Sequence, residues 1–280
     1  MTFYALHMPN REPERISLLR AACKKLGVSF RPLTPFTVDF SKTAPVKKGD
    51  IVYRVSRGLL LHPFEKFFLQ PGAVTFYKNP AAVPNDPFIL SKEGLPCPQT
   101  IFCTTRKRSV IMKYVKALGG FPIVLKALGG TRGLGVMKVD SYSALFGIVD
   151  YLLEHQKLLT LQQFIPQNTS ARVIVLGNKV IGSMEYRAKN HDFRTNEAHR
   201  PDVFPKKFTK DLEQLAVRAT HAMGLEFSGV DILINKKERY ITEVNFPCNF
   251  VRAQTVLGKD IALQMVAYLR DKSAVRGKAL

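Results

Sequence analysis

Residues 121–137 read FPIVLKALGGTRGLGVM, and the rest of the chain is organised around this stretch. A short apolar run carrying one lysine, Pro122 to Lys126, reads as a strand. A glycine-rich loop follows, Gly129 to Gly135, and Val136 to Val139 reads as a second strand. Four glycines in seven residues give a backbone that takes positive φ and lets a ligand come close. The N–H groups of such a loop can form a nest for an anion. The lysine on the preceding strand adds a fixed positive charge. Together they fit a nucleotide phosphate held beneath a hairpin. No Gly-Lys-Ser/Thr follows the glycines, so this is not a Walker loop, and a strand rather than a helix comes next, so it is not a dinucleotide fingerprint. The other reading is an ordinary glycine-rich hairpin turn.

A second informative stretch is residues 228–246, SGVDILINKKERYITEVNF. Asp231 interrupts one apolar strand and Glu243 its partner. A turn centred on Lys237 with an odd number of loop residues sets the two acids face to face. Asn245, two residues on, then projects from the same face as Glu243. Carboxylates directly opposite on a sheet repel each other, and a divalent cation between them resolves the conflict. Magnesium is the natural candidate, because it takes oxygen ligands and is shared between carboxylates and phosphates. An even loop instead places the acids on opposite faces.

Outward from these two stretches, strand-like and helix-like segments alternate, which predicts an α/β or α+β chain. Residues 3–6 read as a first strand, and Pro13 opens a helix with Ile16, Leu19, Cys23 and Leu26 on its apolar side. Val28 to Phe30, Asp50 to Val55 and Val74 to Tyr77 read as strands, and Phe64, Phe67 and Phe68 mark a short helix. Prolines at 80, 84, 87, 96 and 98 mark a connection rather than a regular element. Thr100 to Cys103 and Leu158 to Ile165 read as strands, and Ser109 to Leu118 as a basic helix. Ser141 or Ser143 is placed to cap a helix burying Leu145, Ile148, Val149 and Leu152. Gly177-Asn178 is a two-residue hairpin turn between Arg172–Leu176 and Lys179–Glu185. Tyr186 to Lys207 is polar and without period, which predicts a long loop. Thr209 is placed to cap a helix that ends at Gly224, and Ile261, Met265, Val266 and Leu269 mark a last helix.

Lys+Arg 42 against Asp+Glu 22 gives a net charge of +20, a field that attracts polyanions. The basic residues are dispersed and not interleaved with aromatic side chains, so most belong to solvated surface. The cysteines, Cys23, Cys97, Cys103 and Cys248, form no CxxC pair, so neither a zinc site nor a disulfide framework is indicated. A reducing cytoplasm fits that pattern. No apolar run reaches the length of a membrane span, and MTFYALHMPNREPE lacks the features of a secretion signal.

The order of these parts resembles the ATP-grasp superfamily, and within it the RimK-type ATP-dependent carboxylate–amine ligases. The motifs that carry the resemblance are IVLKALGGTRGLGV, LQQFI, ARVIVLGNKVI, EYRAKNHDFRTN, SGVDIL and ITEVN, in that order. The resemblance implies an ATP-grasp fold in three parts. A small N-terminal α/β domain with its Pro-rich connection spans 1–98, a central lid subdomain spans 99–166, and a C-terminal subdomain built on an antiparallel sheet spans 167–280. It implies that Lys126, with Gly130, Thr131, Arg132 and Gly133 of the loop, contacts ATP phosphates. Gln162, Gln163, Phe164 and Ile165 fall where the family presents backbone to adenine. Asp231, Glu243 and Asn245 fall on its magnesium ligands, with manganese as a substitute ion. Arg187 and Arg194 fall where family arginines reach the reacting phosphate and the substrate carboxylate, and Asn196 on the family's asparagine after that segment. The chain departs from the pattern where Ser170 or its neighbours replace a charged ribose ligand. It departs again at Pro84-Asn85-Asp86-Pro87, which lacks the family's second phosphate lysine, and at Phe246-Pro247-Cys248-Asn249, which replaces a small-residue Pro-Gly turn.

The implied function is an ATP-dependent ligase that forms an amide or peptide bond through an acyl phosphate. Its partners would be ATP, a carboxylate substrate and an amine substrate, whether amino acid, peptide or protein tail. The positive field suits an acidic partner, and an oligomer is compatible with the sequence. Two other readings stand beside it: an ATP-grasp fold that binds nucleotide or a partner without catalysis, and a basic nucleic-acid-binding protein. Nothing beyond net charge supports the last.

Overall fold

The computed structural model describes the chain except residues 79–87, 128–132, 168, 189–192, 195–201, 237 and 279–280. It is a mixed α/β structure containing three sheets.

The first sheet has the order β2-β1-β3, all parallel, from β1 (Thr2–Leu6), β2 (Ser29–Leu33) and β3 (Ile51–Arg54). The central strand is apolar on both faces, as expected of a parallel strand covered on both sides. Helix α1 (Pro13–Lys25) makes the crossover from β1 to β2 and carries Pro13 in its first turn, where the missing N–H has no intrahelical partner to lose. One face of the sheet packs Tyr4, Leu6 and Val52 against Leu61, Phe64 and Phe68 of α2 (Leu61–Phe68). The other face contributes Phe3, Ala5 and Tyr53 to the main core, which also holds Phe227, Phe246, Met265 and Leu269. The N-terminal part therefore shares its core with the C-terminal sheet. Val74 to Tyr77, expected as a strand, makes only isolated bridges, Ile51↔Val74 and Tyr77↔Leu225. Its two ends pair with different parts of the fold, so it joins them instead of extending either.

After α3 (Ile89–Lys92), a four-stranded antiparallel sheet of order β4-β7-β5-β6 carries the glycine-rich hairpin. Its strands are β4 (Thr100–Cys103), β5 (Ile123–Ala127), β6 (Val136–Val139) and β7 (Leu159–Gln163). Two helices, α4 (Arg108–Ala117) and α5 (Tyr142–Glu154), pack on it. Ser141 caps α5 through its side-chain oxygen, which accepts from the Ala144 N–H at 3.3 Å. Ile111, Val115, Leu125, Leu145, Val149 and Leu161 belong to a core of this part alone.

The third sheet is antiparallel, of order β10-β9-β8-β11-β12. It is built from β8 (Thr169–Leu176), β9 (Lys179–Arg187), β10 (Asp202–Pro205), β11 (Phe227–Asn235) and β12 (Glu238–Asn245). Helix α6 (Lys210–Ala222) buries Leu212, Leu215, Ala216 and Ala219 as its period predicts, but Thr209 makes no side-chain cap bond. Helix α8 (Ile261–Lys278) completes the core and packs along α1. Three elements were not expected, the first being α3 (Ile89–Lys92), a single helical turn inside the segment whose prolines marked a connection. The segment read as a loop contains β10, an edge strand that tolerates Pro205 because an outer strand can spare a ladder N–H. A short helix, α7 (Val251–Leu257), lies close enough to β9 that a Cβ on Gly182 would clash with Leu257 Cδ1. No helix among the described residues is long and apolar enough to cross a membrane.

Candidate active site

Asp231 and Glu243 are direct partners across β11 and β12. The hairpin does not achieve this with an odd loop. It closes with Asn235 opposite Glu238, and Ile232 pairs with Ile241, a register that would set Asp231 against Thr242. A bulge between Asp231 and Ile232 shifts the pairing by one residue and brings Glu243 opposite Asp231. Bulges re-aim side chains in this way, and a slip of one residue exchanges the faces of a strand. Asn245 joins them: its Nδ2 donates to Asp231 Oδ2 at 3.1 Å.

Two arginines hold this trio. Arg172, paired with Asp231 across β8 and β11, donates from Nη2 to Asp231 Oδ2 at 2.7 Å and from Nε to Oδ1. Its stem passes over Gly229, where a Cβ would lie 3.3 Å from Arg172 Cδ and 3.1 Å from Cys248 Cβ. Burial pushes the Asp231 carboxyl up, opposed by the Arg172 guanidinium and reinforced by Glu243. Burial works against the Arg172 charge in turn, but Asp231 outweighs it and raises the guanidinium pKa. The second arginine, Arg57, comes from the loop after β3. It donates to Glu243 Oε1 at 3.5 Å and to Asn245 Oδ1.

Lys126 lies on β5, opposite Val136. Burial lowers its pKa, while Glu243 and Asp231 work to raise it. The lysine on the glycine hairpin and the acids on the distant sheet thus share one electrostatic environment. Gly133 and Gly135 take positive φ, 82° and 80°, as the loop reading requires. Gly130, Thr131 and Arg132 lie outside the described residues, as do Asn196 and the Pro84–Pro87 segment.

Gln162 and Gln163 end β7. The Gln163 N–H donates to Gln99 O at 2.9 Å, and Gln162 Nε2 donates to Thr100 Oγ1 at 2.7 Å, so the Gln162 side chain serves the sheet. Phe164 and Ile165 follow the last ladder position. The Lys138 ammonium stands 4.7 Å from the Phe164 ring centre, and Phe193 meets that ring at 6.0 Å. Arg194, next to Phe193, donates to Val136 O at 3.2 Å, which ties its segment to the glycine hairpin beside Lys126.

Arg187 is not brought to the trio. Arg172 pairs with Met184, so the alternation along β9 turns Glu185 and Arg187 to the opposite face. There Arg187 donates from Nε to Glu185 Oε1 at 2.7 Å, and Lys206 pairs with the other carboxylate oxygen. Burial pushes Glu185 up, but Lys206 and Arg187 outweigh it and hold its carboxyl below the ordinary range.

Sequence reasoning assigned no role to Arg172 or Arg57. Arg172 had a signal of the kind that exposed Asp231, a lone charge inside the apolar strand ARVIV. Arg57 had none, since its partners lie 186 and 188 residues away.

The trio offers only oxygen donors toward a cation, which suits a hard ion such as magnesium. Among the described residues no group of three or more His, Cys, Asp or Glu could hold a metal by itself. Two carboxylates and an amide leave the remaining positions to phosphate and water, the usual arrangement for magnesium on a nucleotide.

A curated relative, the probable alpha-L-glutamate ligase of Ectopseudomonas mendocina (strain ymp), is 32% identical over 192 residues, covering 68% of this chain and 63% of the relative. The match therefore spans less than two thirds of that protein. Among solved structures, the ATP-grasp ligase PsnB complexed with minimal precursor, Mg and ADP superposes with a TM-score of 0.73 at 16% identity, covering 97% of both chains. The macrocyclase MdnC of Microcystis aeruginosa MRC, bound with precursor peptide MdnA, gives 0.67 at 15% identity, covering 97% of this chain and all (100%) of that one. Those likenesses concern the fold. The RimK-like ATP-grasp domain matches residues 88–269, more than half of the chain and including Lys126 and the Asp231/Glu243/Asn245 trio, and the chain belongs to that family.

Proposed function

We propose that the chain is an ATP-dependent carboxylate–amine ligase that forms an amide or peptide bond through an acyl phosphate. The observation that carries this reading is the alignment of Asp231, Glu243 and Asn245 on one face, in the electrostatic environment of Lys126. In this reading Asp231, Glu243 and Asn245 hold magnesium, or manganese in its place, which when bound screens the phosphates and orients the phosphoryl group being transferred. Lys126 supplies a half-buried cation to the phosphate oxygens. The glycine hairpin closes over ATP and keeps water from the acyl phosphate. Arg194, latched to the hairpin, is placed to stabilise negative charge as it develops. Arg187 is left in its pair with Glu185. The backbone beyond β7, at Phe164 and Ile165, presents the adenine contacts.

The relatives' name points to glutamate as the amine, and the precursor-bound ligases point to a peptide as the acid. The net charge of +20 favours an acidic acceptor. The test is ADP release with ATP, magnesium, glutamate and a panel of acidic peptides, in wild type and Glu243→Gln. We expect substrate-dependent ADP release in the wild type that the substitution abolishes. Release unchanged by the substitution would remove the trio from the reaction. Salt-sensitive binding of RNA or DNA with no response to ATP would favour a nucleic-acid role instead.

A further inference from the structure

Arg57 stands apart from the other groups around the trio. Arg172 is built into β8, paired twice with Asp231 and 5.9 Å from the Tyr186 ring centre, with its side chain 20% exposed. Arg57 enters from the N-terminal sheet, its side chain is 39% exposed, and its bonds to Glu243 Oε1 are long, at 3.5 Å. The atoms that accept from it are Glu243 Oε1 and Asn245 Oδ1. Oδ1 is the oxygen through which Asn245 would ligate a cation, since its other terminal atom is a donor already spent on Asp231, and Oε1 is one of the two oxygens Glu243 can offer. A guanidinium and a divalent ion sharing these groups would set like charges side by side, so the two compete for them. The cation carries the higher charge density, and Arg57 is the less buried of the two arginines, so Arg57 is the group that gives way.

We propose that Arg57 is a positioning residue that competes with the divalent cation for Glu243 and Asn245, so that loading the site displaces it. This builds on reading the trio as the metal site. Before a cation arrives, Arg57 aligns the two side chains and offsets part of the repulsion between Asp231 and Glu243. When the cation arrives, the contact between the loop after β3 and the far edge of the third sheet is exchanged for metal–oxygen bonds. The affinity for magnesium is thereby held below what the trio alone would give.

The experiment is calorimetric titration of ADP into the full chain at a series of magnesium concentrations, which needs no turnover. Wild type, Arg57→Ala, Arg57→Gln and Glu243→Gln are compared. Removing one part-exposed, charge-assisted contact should lower the magnesium concentration for half-maximal ADP binding by about three- to tenfold in both Arg57 variants. Arg57→Gln keeps most of the side-chain stem, so it serves if the alanine variant folds poorly. An unchanged or higher midpoint in the Arg57 variants overturns the proposal. If the wild type needs no magnesium, or Glu243→Gln behaves as wild type, the metal reading falls and takes this proposal with it. If Glu243→Gln loses the magnesium response and the Arg57 variants do not move, this proposal alone falls.

Discussion

The hydroxyl of Thr242 donates to the backbone carbonyl of Asp231 at 3.2 Å, across the one irregularity in the β11–β12 pair. Thr242 is the extra residue of the bulge, and its side chain bonds the residue that the bulge re-aims. Thr242→Val keeps the β-branched shape and removes the bond. We expect a stability loss of about 1 kcal/mol, read by thermal melting. We also expect weaker magnesium-dependent ADP binding, because Glu243 is less firmly held opposite Asp231. Unaltered binding would mean that strand packing alone holds the bulge.

The two acids should respond differently to neutralisation. Asp231→Asn leaves Arg172 facing an amide, and breaking a mostly buried pair from one side costs about 3 kcal/mol. Glu243→Gln should barely change stability, because the Glu243 side chain is 43% exposed and its partner Arg57 is part-exposed too. Urea unfolding would show the first variant shifted well below the second. Both should lose the magnesium response of ADP binding.

Lys126 gives the site a pH dependence of definite sign. Its folded pKa lies below its ordinary 10.5 because burial disfavours the ammonium. Between the lowered value and 10.5 the unfolded chain binds more protons at this position, so unfolding free energy rises with pH. Below the window both states are protonated and the cost of burying the charge is fully present. Lys126→Met should therefore be the more stable protein at neutral pH, with its advantage shrinking as pH climbs through the window. The same variant should bind ADP about 10- to 100-fold more weakly, through loss of a charge-assisted contact. Denaturation at several pH values and calorimetry on both proteins check the two signs.

Gly229→Ala tests the packing behind Asp231. The new Cβ would stand 3.1 Å from Cys248 Cβ and 3.3 Å from Arg172 Cδ. Arg172 cannot shift without loosening its grip on Asp231. We expect a loss of about 1–3 kcal/mol from overpacking and a parallel loss of magnesium-dependent binding. A thermal shift confined to stability would show that Arg172 reaches Asp231 by another path.

Much of the architecture was legible because it is written in local patterns. The strand–loop–strand around Lys126, the Ser141 cap and the Gly177-Asn178 turn each rest on residues adjacent in sequence. The facing of Asp231 and Glu243 was legible in outcome but not in route, since the hairpin closes with an even loop and a bulge restores the pairing. A bulge of this kind is set by contacts such as Thr242 to Asp231, which leave no periodic mark. Strand β10 was hidden because Asp202 and Pro205 have low strand propensity and only an edge position accepts them. The face of Arg187 depends on the register of β8 against β9, which motif spacing does not encode. Arg57 was out of reach because it meets its partners only through the packing of the first sheet against the third.

The separate core of the β4-β7-β5-β6 sheet has a mechanical consequence. The chain enters this part beside Gln99 and leaves it at Gln163, and those two residues share a backbone hydrogen bond of 2.9 Å. A part with its own core, whose entering and leaving strands are bonded to each other at Gln99 and Gln163, can turn without shearing the main core. The Arg194 bond to Val136 O is a second tie to this part, at the start of β6. A turn of this part would cost the Arg194 bond and leave the packing of the main core intact, so hydrogen exchange in Arg194→Ala should quicken along β6 and leave the amides of β11 protected as before.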